Sequence, residues 1–207
     1  MKRYASNRYT DMIKPPSSCL VILAGGQSIR MGSDKAVISF DGQRLVDILI
    51  GRYAGKADRI LLSAREDYGT GLAIIRDDPD APAGPVGGIF SVAAALQAML
   101  PAIEGFVTVP VDAPFAPVDL IERLSASGSC TVARDPQRVH PTFAYWRCDI
   151  VNAVRAAYQP GERAPSLQWL ARQCDAKSVT WPDDQPFLNI NRPEDLAAAA
   201  DAKKAGA

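Results

Sequence analysis

The feature that most restricts the fold of this chain is an alternation of short apolar runs with longer segments of helical period. Residues 19–24, 59–63, 73–76 and 106–109 each have a continuous apolar centre too short for a helix and read as buried strands. Between them, residues 45–54 and 86–100 have the length and spacing of helices. Strands alternating with helices require a mostly parallel sheet covered on both faces, an α/β fold. The second half is less regular. It adds expected strands at 129–133 and 142–146 and helices at 149–157 and 164–173. Asn191-Arg192-Pro193-Glu194 reads as the start of a last helix, with Asn191 as cap, proline in the first turn and Glu194 at capping-box spacing.

In open parallel sheets, ligands bind beyond the carboxyl ends of the strands. Those ends carry Gly25-Gly26, Ser63-Ala64-Arg65, Asp77-Asp78 and Pro110-Val111-Asp112. The first is the most telling. "VILAGGQSIRMGSDK", Val21 to Lys35, leaves an apolar strand through two glycines and then presents Arg30, Asp34 and Lys35. It is neither a dinucleotide fingerprint, which needs Gly-x-Gly-x-x-Gly, nor a P-loop, which ends in Gly-Lys-Ser/Thr. The physics shared by those loops survives: glycines admit an anion to the backbone amides, and cations complete the cradle.

Composition limits the rest. At 207 residues one domain is the expectation, with 19–207 as the folded unit and 1–18 as a flexible extension ending after Pro15-Pro16. Lysine plus arginine and aspartate plus glutamate both number 23, so no global field favours nucleic acid or an anionic membrane. No run of about 18 apolar residues marks a membrane span. The four cysteines form no Cys-x-x-Cys pair and, with one histidine in the chain, offer no clustered zinc ligands. They read as reduced thiols, at least two of them in the core, of a cytoplasmic protein.

"LAGGQSIRMGSDK" resembles the signature loop of the molybdenum cofactor guanylyltransferases, the MobA family of nucleotidyltransferases. The resemblance continues in order through "GPVGGI" (84–89), "VPVDAPF" (109–115), "HPTFAYW" (140–146) and "FLNINRPEDL" (187–196). It implies a Rossmann-like three-layer sandwich of the nucleotide-diphospho-sugar transferase type, with GTP and molybdopterin as substrates and Mg2+ as cofactor. It places backbone of Leu23, Ala24, Gly25 and Gly26 around the nucleotide, Arg30 and Lys35 on its phosphates, and Asp77 in the guanosine pocket. Asp112 would hold the metal, and Asn189 and Asn191 would lie towards the pterin. Ser63 stands where the family often has an asparagine contacting the nucleoside, and Val111 where it prefers cysteine. Molybdopterin-inserting proteins or recipient molybdoenzymes are the implied protein partners.

Bland alternatives accompany these roles. Asn191 serves equally as a helix cap, Asp77-Asp78-Pro79 as a turn, and Asp34 as a partner orienting Lys35. His140 before Pro141 reads as structural, as a pterin-side contact or as a general base, and Phe143, Tyr145 and Trp146 as strand packing or as a face bordering a flat pterin. Rival functions are the cytidylyltransferase of the same cofactor, whose loop usually has Leu-Ala-Ala-Gly, another nucleotidyltransferase, or a binding module without turnover.

Overall fold

The structure is a computed structural model and describes residues 18–25, 35–161, 164–182, 187–190 and 195. In chain order its elements are β1 (Cys19–Leu23), β2 (Ser39–Phe40), β3 (Gln43–Arg44), α1 (Leu45–Tyr53), β4 (Arg59–Ser63) and β5 (Ile74–Ile75). There follow α2 (Pro85–Met99), β6 (Gly105–Pro110), α3 (Leu120–Ser125), β7 (Thr131–Arg134) and β8 (Val139–Arg147). α4 (Cys148–Ala157), α5 (Leu167–Gln173) and β9 (Lys177–Thr180) complete them.

A seven-stranded sheet runs in the order β5-β4-β1-β6-β8-β7-β9. β5, β4, β1 and β6 are parallel, as the alternation requires. β8 pairs antiparallel with both β6 and β7, and β9 returns parallel to β7. The single reversed strand follows from a tight connection. Asp135 Oδ1 accepts the N–H groups of Gln137 and Arg138, each at 2.7 Å, and turns β7 back into β8 without room for a crossover helix.

The pleat divides the core. Along β1, Leu20 and Ile22 join one cluster with Leu45, Leu49 and Tyr53 of α1 and Leu120 and Leu124 of α3. Cys19 and Val21 join the other, with Ile89 and Phe90 of α2, Val151 of α4 and Leu170 of α5. A strand buried on both faces must be apolar throughout, which explains the unbroken run read from the sequence. All four cysteines are buried free thiols within this second layer.

Several elements differ from expectation. β8 extends well beyond residues 142–146 because its hairpin with β7 begins at Val139. The β2–β3 hairpin was not expected, although Asp41-Gly42, with φ of 52° and 78°, is the turn pair that such a hairpin favours. α3 and β9 are too short to show a period. Ser18, assigned to the extension, is already anchored: its N–H donates to Asp58 Oδ2 at 2.8 Å. The rest of the extension and the start of the last helix lie outside the described residues.

One buried polar pair braces the antiparallel half. His140 Nε2 lies 2.5 Å from Asp135 Oδ2, and both side chains are almost wholly buried. Burial pushes the Asp135 carboxyl up, but His140 and the N–H groups of Arg138 and Gln137 outweigh it and hold it at about 2. A carboxyl depressed below its ordinary value near 4 stabilises the fold fully above that value and loses the contribution as pH falls towards 2. Asp135→Asn should therefore lower stability at pH 7 by about 1–3 kcal/mol. The gap between variant and parent, measured by urea unfolding, should narrow once the pH drops below 4.

Candidate active site

The carboxyl ends of β5, β4, β1 and β6 open on one cavity of about 750 Å3. Its floor is fixed by backbone bonds at the end of β1. The Val111 N–H donates to the Leu23 carbonyl at 3.0 Å, and the Ala24 N–H to the Ser63 carbonyl at 2.9 Å. The Tyr68 hydroxyl donates to the Ala24 carbonyl at 3.2 Å. These main-chain groups are thus engaged by the protein itself.

At the β6 end stands Asp112. Lys35, on the 3-10 turn Lys35–Val37, donates its ammonium to Asp112 Oδ2 at 2.5 Å, with the side chains only 20% and 12% exposed. Asp112 Oδ1 is buried with no hydrogen-bond partner among the described residues. A buried carboxylate oxygen with no partner among the described residues is suited to accept a cation or a hydrogen-bond donor. The Asp112 carbonyl is held separately: it accepts the Ile190 N–H at 2.7 Å. Phe187, near the start of that segment, stacks on His140 with centroids 4.6 Å apart and meets Trp181 edge-on. His140 is therefore packing, paired with Asp135 and covered by Phe187.

The β4–β5 end is built differently. Asp78 is tied to α2 and α4, its N–H donating to Ser91 Oγ at 2.8 Å and its carboxylate accepting from Arg155 at 2.5 Å. That leaves the neighbouring Asp77 at the cavity wall, beside Ser63 and Arg65. Loss of water raises the Asp77 pKa, and the nearby Arg65 charge opposes the rise. Gly88, in the first turn of α2, lets them approach. A Cβ there would lie 3.1 Å from Ser63 Oγ and 3.3 Å from Asp77 Oδ1.

Of the residues selected from the sequence, Leu23, Ala24, Gly25, Lys35, Ser63, Asp77 and Asp112 line this one cavity. Gly26, Arg30, Asp34 and Asn191 lie outside the described residues. Asn189 is exposed on the segment clamped to Asp112 and is not among the lining residues. The sequence reading missed Arg65, Gly88 and Thr142 as lining residues. Each lay in a stretch the sequence had singled out, Arg65 at the β4 end, Gly88 in "GPVGGI" and Thr142 in "HPTFAYW", but only the reversal of β8 brings Thr142 to the cavity.

A mostly parallel α/β sheet with a cationic turn, a buried carboxylate and an open cavity at its strand ends defines a nucleotide-binding protein of the transferase kind. The chain belongs to the family of MobA-like NTP transferase domains, whose profile matches residues 20–173. A molybdenum cofactor guanylyltransferase of Cereibacter sphaeroides is 37% identical over 86% of this chain and 93% of its own length. One from Rhodopseudomonas palustris is 34% identical, over 91% and 95%. The crystal structure of molybdopterin-guanine dinucleotide biosynthesis protein A from Archaeoglobus fulgidus superposes with a TM-score of 0.67. It covers 90% of this chain and 98% of its own at 20% identity, a likeness of fold.

The paired glycines of α2 give a contrast that tests this geometry. Alanine at Gly87 would put its Cβ 2.1 Å from the Pro82 carbonyl oxygen, a clash with backbone. Gly87→Ala should cost about 1–3 kcal/mol or more in thermal unfolding. At Gly88 the helix-propensity gain of about 1 kcal/mol roughly offsets the tighter contact, so Gly88→Ala should melt near the parent temperature. Its nucleotide affinity should nevertheless fall about tenfold, because the displaced groups are those facing the cavity.

Proposed function

We propose that this protein transfers GMP from GTP to the phosphate of molybdopterin, forming the guanine dinucleotide cofactor and pyrophosphate. The observation that carries the reading is the Asp112–Lys35 pair in the strand-end cavity, with Asp112 Oδ1 buried and without a hydrogen-bond partner among the described residues. The printed names of the relatives supply the substrates.

Strands lie about 4.8 Å apart, so the ends of β4 and β6, separated by β1, are about 10 Å apart. That span suits a nucleotide lying across them, its base towards Ser63 and Asp77 and its phosphates towards Lys35 and Asp112. Both substrates are polyanions. Unit charges about 5 Å apart at an effective dielectric near 20 repel by roughly 3 kcal/mol, and several such terms oppose their approach. Lys35 offsets part of this, and Arg30 is expected to add to it from the loop.

A magnesium ion at this site would engage the orphaned Oδ1 of Asp112 and supply further positive charge for the phosphates. One carboxylate completed by substrate oxygens and water suits that ion. As an oxygen of the pterin phosphate attacks the α-phosphorus, the bond to the bridging oxygen of pyrophosphate breaks. Lys35 then stabilises the charge developing on the leaving group. The attacking phosphate is already ionised near neutral pH, so no protein base is required, in keeping with a buried His140.

Asn189 and Asn191, on either side of Ile190, would serve the pterin side. Among the described residues no helix is long and apolar enough to cross a membrane. We place the reaction in the cytoplasm, with transient contact to molybdopterin-inserting proteins or recipient molybdoenzymes. Gly25 favours guanine over the cytidine enzymes' alanine. A Cβ at Gly25 would only touch the Ser63 carbonyl oxygen at 3.7 Å, so any penalty for alanine must come from the ligand.

The direct test is pyrophosphate release from the purified protein with Mg2+, GTP and molybdopterin, and its absence when CTP replaces GTP. Loss of roughly 3 kcal/mol of phosphate interaction in Lys35→Ala should reduce turnover about a hundredfold, with the circular dichroism spectrum retained. Asp112→Asn keeps the shape and one oxygen but loses the charge that a hard cation needs. It should abolish magnesium-dependent turnover while GTP still raises the melting temperature measurably.

A further inference from the structure

We propose that Tyr68 is a positioning residue for the nucleotide: its hydroxyl sets the plane of the Ala24–Gly25 peptide, so that the Gly25 N–H is presented to the cavity as a donor. This role rests on the GTP reading above and adds to it a residue outside the cavity that prepares the cavity's floor.

The backbone of Tyr68 is unusual. Among the described residues other than glycine, Asp41, Tyr68 and Asp175 have positive φ. Asp41 belongs to the Asp41-Gly42 hairpin turn and Asp175 follows the end of α5, places where a short polar residue takes this conformation readily. Tyr68, at φ 52°, is a large aromatic residue and is buried. The left-handed region is costly for a bulky side chain, so the surroundings must hold it there.

Both sides of it are held. The Asp67 carboxylate accepts the Gly69 N–H at 3.0 Å and the Asp67 carbonyl accepts the Thr70 N–H at 2.9 Å, which closes the turn around Tyr68. Arg44, just ahead of α1, donates to the Tyr68 carbonyl at 2.6 Å. The same guanidinium is aimed by two bonds to Asp47, at 2.6 and 2.8 Å. The ring joins the core layer of Leu20 and Ile22, and its hydroxyl donates to the Ala24 carbonyl at 3.2 Å. A link between β4 and β5 could take glycine at such a position, as Gly69 and Gly71 do with φ of 68° and 72°. The ring and the hydroxyl are what tyrosine adds.

Peptide planes carry that bond to the cavity. In a trans peptide the C=O and the following N–H point in opposite directions, and no peptide of the described chain is cis. The Leu23 carbonyl meets Val111 on the β6 side, and the Ala24 N–H meets Ser63 on the β4 side. The next carbonyl, that of Ala24, is turned to Tyr68, so the Gly25 N–H points away from Tyr68. Gly25 is exposed and lines the cavity, whereas Tyr68 does not. The Gly25 N–H has no hydrogen-bond partner among the described residues. It lies beyond β1, between the β4 and β6 ends, where the middle of a bound nucleotide would pass. Without the Tyr68 hydroxyl this peptide is free to rotate, and the nucleotide must order it on binding.

Two measurements test this. By NMR of the parent with isotope-labelled glycine, GTP and Mg2+ should shift the Gly25 amide resonance and slow its exchange with solvent. A Gly25 amide that stays unchanged while GTP binds overturns the inference, whatever the variants do. Titration calorimetry then compares the parent with Tyr68→Phe and Tyr68→para-aminophenylalanine, the second of which keeps the ring and restores a donor. Tyr68→Phe should bind GTP about tenfold more weakly, while turnover at saturating substrates stays within about twofold of the parent. The aminophenyl variant should recover most of the affinity. A Tyr68→Phe protein that binds GTP as tightly as the parent, or two variants weakened equally, overturns the inference alone, because the ring then acts by packing. A parent that binds GTP and CTP alike overturns the guanylyl reading and this inference with it.

Discussion

The register of β1 between its two parallel neighbours is the constraint on which the site depends. Leu23 pairs with Ser63 on one side and Pro110 on the other, so all three strands end at the same level. Beyond that level the chain bends away, and the bonds Ala24–Ser63, Val111–Leu23 and Tyr68–Ala24 close the rim. A slip of one residue on β1 would exchange its two faces, sending Leu20 and Ile22 into the layer built for Cys19 and Val21. The hydrophobic pattern that fixes the core therefore also fixes the level of the cavity floor. Stability and placement of the functional groups come from one ladder.

Asp112 shows how that floor carries a polar group open to the cavity without being made soft. Its carbonyl is clamped by Ile190, whose segment is anchored by Phe187 in an aromatic cluster with His140, Phe143 and Trp181. Arg123 lies 4.1 Å above the Trp181 ring and closes the outer side of that cluster. The carboxylate, by contrast, has one oxygen on Lys35 and one on nothing among the described residues. The main chain is determined by packing and the side chain is left with a valence to fill. This division suits a group that must hold its position while its partners change.

Much of this was legible in the sequence because it follows from periodicity. The apolar runs located β1, β4 and β6, and their polar ends located the cavity, because burial on both faces leaves room for little that is polar, the hydrogen-bonded Thr108 of β6 aside, until the strand stops. Lys35, Ser63, Asp77 and Asp112 were found by that logic and by family resemblance. The elements that escaped are those decided by tertiary pairing: β9 on the edge beside β7, the six-residue α3, and the hairpin at Asp41-Gly42. Thr142 was illegible for the same reason, since only the antiparallel return of β8 brings it to the cavity. His140 takes the structural alternative that the sequence left open: Asp135, on the turn of its own hairpin, and Phe187, from a distant segment, make it a brace.

The two ends of the cavity solve different problems, and their electrostatics differ accordingly. On the proposed reading the task at the β6 end is charge, and the half-buried Lys35 and buried Asp112 hold opposite signs close together. An unpaired carboxylate there would cost several kcal/mol in desolvation, so the ammonium maintains the site while it waits. On the proposed reading, phosphates would give the same ammonium anionic neighbours, and Asp112 Oδ1 would hold a cation that keeps the carboxylate paired. At the β5 end, which on the proposed reading faces the base, Asp77 is more open to water. Open groups are cheap to keep unliganded, but a wrong base must strip their water without replacing the bonds. The end proposed to take phosphates is therefore shielded and paired, while the end proposed to take the base is open to solvent.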